Sequence, residues 1–449
     1  MFFLSLITFS LLSWASRVPP AIDQPQLITA SEILTWVKGA EPKVRSVEEL
    51  LEKLPVPYRT YFVLQYNSHS NHSSNGTHPR VIFFGPDAKL LLAFSGLASD
   101  SFYHTIEMIE YEPNTASHSF YSIHFQEKEP AHVEINPEDC LRCHGSDPKP
   151  NWEPYSLWPG AFGSLHDRIL PQTREHHFFE EFLKTYSQSP RYRFLPGPFH
   201  VESENEKGLK SYYLWNAGIG PGSSLSILLG FVNRDRIAKK LLASESHARY
   251  RPAFTAALLG CEKTIQTFLP EDLKRDHPAD FEEVLAETCL FMEKDLGRKK
   301  RALVQQLEVD EAFVSNHADL FGFRSEEVKR IARLRYLLTK RSGNRIDFDR
   351  WALSISKTSF DFNDGVSGLE NLIGHYLMLA YEEDDPIRKL IPMREVPFSF
   401  TSLSPGSHHH HSGASDPKAY TIHTYSLTET PDLACELLAK EAKALSLVQ

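Results

Sequence analysis

Five consecutive residues constrain this chain more than any others: Cys140, Leu141, Arg142, Cys143 and His144 read Cys-x-x-Cys-His. Two thiols three positions apart, followed at once by an imidazole, have the spacing of a c-type haem attachment site. The thiols reach the two vinyl groups of one porphyrin as thioethers, and the next residue presents its imidazole to the iron from the proximal side. With five cysteines and 21 histidines in the chain, random placement would give this pentapeptide in roughly one such chain in a few hundred. A covalent linkage holds the cofactor even where the polypeptide does not enclose it, and the iron supplies redox chemistry.

Two other readings of Cys-x-x-Cys compete. Thioredoxin-type redox motifs lack the adjacent histidine and open a helix after a strand. A structural zinc site needs a second close pair of ligands, and the remaining cysteines, Cys261, Cys289 and Cys435, are scattered. The residues therefore imply one covalently attached haem c, with Cys140 and Cys143 as anchors and His144 as the metal ligand. For the other cysteines, a Cys261–Cys289 bridge between neighbouring helices and free buried thiols are both open, with Cys435 left over.

The sixth iron ligand decides what such a haem does: a methionine raises the potential, a second histidine lowers it, and an open position admits small ligands. Met108, Met292, Met378 and Met393 are the methionine candidates, and His166, His176 and His177 the histidines that follow the motif. Arg142, Lys149, Arg168 and Arg174 are candidates to pair with haem propionates.

The chain begins with Met-Phe-Phe-Leu-Ser-Leu-Ile-Thr-Phe-Ser-Leu-Leu-Ser-Trp-Ala, an apolar run ending in a small-x-small cleavage pattern at Ser13-Trp-Ala15. Residues 1–15 are expected to be a secretory signal peptide; the segment is short for a membrane span, and no other stretch approaches its length. Attachment of haem to Cys-x-x-Cys-His takes place outside the bacterial cytoplasm, so leader and motif together point to the periplasm. The net charge of −10 over 449 residues, with no dense basic face, argues against nucleic acid as a partner.

Periodicity divides the rest into an α+β chain. Residues 31–54 read as a helix capped by Ser31. Strand-like runs follow at 61–66, 80–84 and 89–94, the last two joined by a turn at Gly85-Pro-Asp87, then at 105–111, 119–125 and 133–135. The haem motif comes at the exit of this sheet, before an aromatic Pro/Gly segment with Trp152, Tyr155, Trp158 and Phe162, which would cover either a porphyrin face or the sheet. Residues 175–186 are helical. Residues 212–216 and 224–232 read as strands around a glycine-rich turn, and Asn233 as the cap of a helix over 234–246. Helical spacing dominates beyond 250: 252–268, 278–296, 326–341 capped by Ser325, 368–382 and 431–446. The tail from about 395 reads as loop and includes four histidines at 408–411, a tract able to bind a transition metal. Residues 361–365, Asp-Phe-Asn-Asp-Gly, lack the closing glutamate of a calcium loop and read as a turn. The expected organisation is a haem-binding α+β region over 25–248, a mainly helical domain over 249–395 and a loop-rich tail with a terminal helix over 396–449.

Cys140 to Gly145, Cys-Leu-Arg-Cys-His-Gly, resembles the haem segment of mono-haem c-type cytochromes, and the chain as a whole is similar to large bacterial cytochrome c domain-containing proteins. The order of sheet and then haem motif also looks like periplasmic haem sensors built on PAS-like folds. Small cytochromes of the family often carry a ligating methionine some tens of residues downstream, whereas this chain has none between 109 and 291; that favours a histidine-ligated or open iron. The resemblance implies periplasmic electron transfer by Fe(II)/Fe(III) cycling with a redox partner protein. A haem-based sensor is the alternative and a haem peroxidase a further one, so a carrier or binding protein is expected ahead of an enzyme.

Overall fold

The computed structural model describes residues 27–38, 42–68, 72–126, 129–145, 148–150, 160–163, 168–169, 171–186, 188–195, 200–204, 210–213, 221–261, 268, 277–308, 325–342, 368–391, 393–400, 420–427 and 432–447. The N-terminal leader, Trp152, Tyr155, Trp158, His166, the first part of the 218–222 glycine turn, residues 361–365 and the 408–411 histidines lie outside these.

Helix α1 (Ala30–Val37) begins at Thr29, whose hydroxyl accepts from the Glu32 N–H while the Glu32 carboxylate accepts from the Thr29 N–H. This reciprocal cap replaces the expected Ser31. The single helix expected to residue 54 is two: α2 (Val47–Lys53) starts afresh under a Ser46 cap, beyond Pro42, which cannot donate to a helix ladder. Helix α3 (Val56–Thr60) leads into the sheet.

Six strands, β1 (Phe62–Gln65), β2 (Arg80–Phe83), β3 (Leu90–Phe94), β4 (Thr105–Glu112), β5 (Ser117–Gln126) and β6 (Glu129–Ile135), form one antiparallel meander in that spatial order. The hairpin expected at Gly85 forms, with Gly85 in the left-handed region at φ 57°. The sheet has two unlike faces because side chains alternate along each strand. One cross-strand row, Phe62, Phe83, Leu92, Met108, Tyr121 and Ile135, runs through the whole sheet. Its face buries the first apolar core against Ile33, Val37, Leu50 and Leu51 of α1 and α2. The neighbouring row on the other face is Val63, Ile82, Ala93, Glu107, Ser122 and Glu134. It is apolar at β1 and polar from β4 to β6. That change of character is what leaves room for chemistry at the β5–β6 end.

Helix α4 (Glu138–His144) follows β6 directly. Strands β7 (Arg168–Ile169), β8 (His200–Glu204) and β9 (Lys210–Tyr213) make a small sheet in the order β7-β9-β8, and α5 (Arg174–Tyr186) precedes β8. The strand expected at 224–232 is instead the first half of α6 (Pro221–Ala243), so Asn233 lies mid-helix and caps nothing. An unbroken apolar run does not distinguish a buried strand from a buried helix. The helical solution places Leu225, Leu228, Leu229 and Val232 in the interior at i, i+3, i+4 and i+7.

The remaining helices are α7 (Glu245–Leu259), α8 (His277–Leu307), α9 (Ser325–Ser342), α10 (Gly368–Ala380), α11 (Pro386–Leu390) and α12 (Asp432–Leu447). The helix expected at 252–268 starts earlier and stops at Gly260, which takes φ 76°, with Pro252 inside it beside non-helical Tyr250. The loop expected beyond 395 contains a hairpin, β10 (Met393–Phe400) with β11 (Tyr420–Leu427), paired along its full length. A second core gathers Ile237, Leu241, Phe254, Leu258, Ile331, Tyr376 and Leu438. Helix α6 serves both cores, with Leu225 to Leu229 in the first and Ile237 to Leu241 in the second.

The disulfide is Cys261–Cys435, not Cys261–Cys289. Helix α12 packs on α7, so its first-turn Cys435 meets the residue just past the α7 C-terminus, while α8, which carries Cys289, packs mainly on α9. Cys289 is a free thiol. No helix among the described residues is long and apolar enough to cross a membrane. The fold is α+β: an antiparallel sheet region followed by a mostly helical one.

Candidate functional site

Asn136 ends β6 at φ 52° and locks the turn into the motif. Its N–H donates to the Phe120 carbonyl at 2.7 Å, and its side-chain Oδ1 accepts from the Phe120 N–H at 2.9 Å. Pro137, fixed near helical φ, then opens α4, with Glu138 and Asp139 in the first turn where negative charge suits the helix dipole. Gly145, at φ 84°, ends the helix. The whole Cys-x-x-Cys-His motif therefore occupies one short helix held against β5.

Cys140 and Cys143 stand one turn apart on this helix, the spacing at which two side chains share a side. Cys140 is half-buried and Cys143 exposed. Burial, and after it the charges of Glu107 and Asp139, push the Cys140 thiol up to about 11. A group held as a thiol is a weaker nucleophile for disulfide exchange than a thiolate. Addition across a vinyl group consumes an S–H and has no such requirement.

His144 is oriented from two sides. Its ring packs 4.5 Å from that of Phe120, and its Nδ1 lies 2.6 Å from the Lys149 carbonyl oxygen. A carbonyl only accepts, so Nδ1 carries the proton and Nε2 holds the lone pair. A second partner that fixes the tautomer in this way is the usual support of a metal-bound imidazole.

Beside the motif lies a cleft of about 410 Å³ lined by His118, Asn136, Leu141, Gly145 and Pro148, within the range of small-molecule sites. His118, on β5, was not distinguished by sequence reasoning. It is 6 % exposed, and its Nδ1 has no hydrogen-bond partner among the described residues. Burial first, then the positive charges of Arg236, Lys149, Lys240 and His144, push it well below the usual histidine range and keep it neutral. The available signal was the alternation of β5, which puts His118, Phe120 and Ser122 on one face.

The other candidates fall elsewhere. Met108 is buried on the apolar-core face of β4, the opposite side of the sheet from Phe120. His176 and His177 sit on α5, which packs on the β1 edge through Phe178 against Tyr66. Four strand spacings separate β1 from β5, about 19 Å. Phe162 belongs to the same edge, in contact with Tyr66 and Phe179, so it covers the sheet core. Met378 is 37 % exposed on α10, Met393 begins β10 and Met292 lies in α8, all in the helical half. Among the propionate candidates, Arg142 pairs with Asp139 in solvent, Arg174 lies over Phe178 and Arg168 lies on β7. Lys149 is buried next to the cleft, beside its lining residue Pro148.

Behind Cys140, Glu107 accepts from Arg80 at 2.5 Å and lies 2.6 Å from His72 Nε2. Burial alone would raise its pKa, but Arg80 and His72 outweigh that and hold it at about 2, against an ordinary 4.5. A depressed carboxylate contributes stability that is complete above its unfolded pKa and fades as pH falls through the folded one. Denaturant unfolding should therefore show wild type exceeding Glu107→Gln by of order 3 kcal/mol near neutrality, with the difference disappearing between about pH 4.5 and 2. A difference independent of pH would show that Glu107 acts through shape and not charge.

Among the described residues no three His, Cys, Asp or Glu side chains are grouped to hold a bare metal ion. A porphyrin brings four nitrogens of its own, so His144 alone can supply the proximal bond. Comparison with family models, with curated proteins and with solved structures finds no match for this chain.

Proposed function

We propose that this chain is a mono-haem c-type protein of the bacterial periplasm that passes single electrons to a protein partner. The observation that carries the reading is the Lys149 carbonyl on His144 Nδ1, in a helix that also presents both cysteines. Bound haem would supply a one-electron Fe(III)/Fe(II) couple. Cys140 and Cys143 would hold it covalently and His144 would ligate the iron.

The chain's own residues set the conditions. Phe120 packs against the His144 ring and Lys149 anchors the opposite edge of the imidazole, so the ligand keeps one orientation through a redox cycle. Leu141 and Pro148 give the cleft apolar surface. Cys143 is exposed, so the bond it forms lies where a partner can approach. The leader and the Cys261–Cys435 bridge both suit an oxidising compartment.

The test is expression in a host with periplasmic haem c maturation. Haem should remain with the chain after acid-acetone extraction, and the reduced spectrum should be unchanged by carbon monoxide. A reduced spectrum converted by carbon monoxide would replace electron transfer with ligand sensing.

A further inference from the structure

We propose that His118 would supply the second protein ligand to the iron, from the cleft beside the motif. The inference rests on the haem reading above and adds what that reading leaves open, the group on the far side of the metal. Three observations carry it. His118 lines the same cleft as Leu141 and Gly145 of the motif. It occupies the face of β5 that Phe120 presents to His144, one residue pair, about 7 Å, further along the strand. Its buried Nδ1 has no hydrogen-bond partner among the described residues.

Burial, and after it the positive charges of Arg236 and Lys240 from α6 and of Lys149 from the segment after α4, hold the ring neutral. A neutral imidazole is the form that binds a metal. Its neighbours on the same face are already engaged, His72 with Glu107 and solvent-exposed His132 with Glu134.

The ring is also held from behind. Tyr111, its cross-strand partner, packs 5.1 Å away and donates its hydroxyl to Asp235 of α6 at 2.8 Å. Asp235 lies 2.9 Å from His375 of α10 and accepts from Lys239 at 2.6 Å. The helical half thus reaches the haem cleft through one chain of contacts, α10 to α6 to Tyr111 to His118. This gives that half a part in positioning the ligand.

The test uses the full chain matured with haem c, as wild type, His118→Gly and His118→Met, with His176→Gly as control. Wild type and control should be low-spin and six-coordinate by absorption and electron paramagnetic resonance. His118→Gly should become high-spin, bind carbon monoxide when reduced, and return to low-spin on addition of imidazole. His118→Met should stay low-spin with its midpoint potential shifted upward, since a thioether replaces an imidazole; it also serves if the glycine variant does not fold. Covalent haem with an unchanged low-spin spectrum in His118→Gly would overturn the assignment, as would a spin change that imidazole does not reverse. Wild type with no covalent haem would overturn the haem reading itself, and the two failures are told apart by the pyridine haemochrome assay.

Discussion

Cys140→Ala combined with Cys143→Ala is expected to remove covalent haem entirely, lowering the pyridine haemochrome signal of the extracted chain to background. Each thioether is a single bond to a single vinyl carbon, so no neighbouring residue can replace either sulfur. The other three cysteines are far off in the helical half, two of them already joined to each other. The single variants should each keep one thioether and shift the haemochrome band, and mass spectrometry should place the retained porphyrin on the surviving cysteine. Fold loss does not explain such a result. Cys143 is exposed and Cys140 half-buried, and α4 has no fully buried residue. Truncation at sites of this kind typically alters stability by about 1 kcal/mol or less. Circular dichroism of the apo double variant should therefore match wild type. A double variant that still carries haem after extraction would remove the basis for the attachment site.

Cys435→Ser should be the most destabilising single change in the helical half. The bridge closes a loop with a sequence separation of 174 residues, and in the chain-entropy treatment a loop of that size restricts the unfolded state by about 5 kcal/mol at most. The loop contains α8 to α11 and the β10–β11 hairpin, the elements that make up most of the second core. The loss should therefore appear as earlier unfolding of that core, with the sheet region around Trp36 less affected. Cys261→Ser should reproduce it, reducing agent should reproduce it in wild type, and Cys289→Ser should cost far less because Cys289 is a free thiol. Equal losses in the Cys289 and Cys435 variants would exclude the 261–435 pairing.

The sheet was legible in the sequence because its strand-like runs are short and bounded by turn residues such as Gly85-Pro-Asp87 and Glu112-Pro-Asn-Thr115. Residues 224–232 were not, because Ser-Leu-Ser-Ile-Leu-Leu-Gly-Phe-Val satisfies either period; packing against two cores chose the helix. The β10–β11 hairpin was missed for a different reason. Its strands are separated by 401–419, far longer than a hairpin turn, so neither announces the other. The bridge partner of Cys261 was missed because sequence proximity favoured Cys289, whereas the packing of α12 on α7 decided it.

The Cys140, Cys143 and His144 motif was wholly local, and local chemistry is what a sequence specifies most directly: spacing on one helical turn needs no knowledge of the fold. By itself the sequence supplied the proposed attachment residues, the α+β class and the absence of a methionine in the segment following the motif. Only the tertiary structure brought the Lys149 carbonyl to His144, put Met108 on the wrong side of the sheet and placed His118 beside the cleft. Those relations depend on strand register and on where α4 and α6 cross the sheet. They are set by burial across the whole domain, not by any short run of residues.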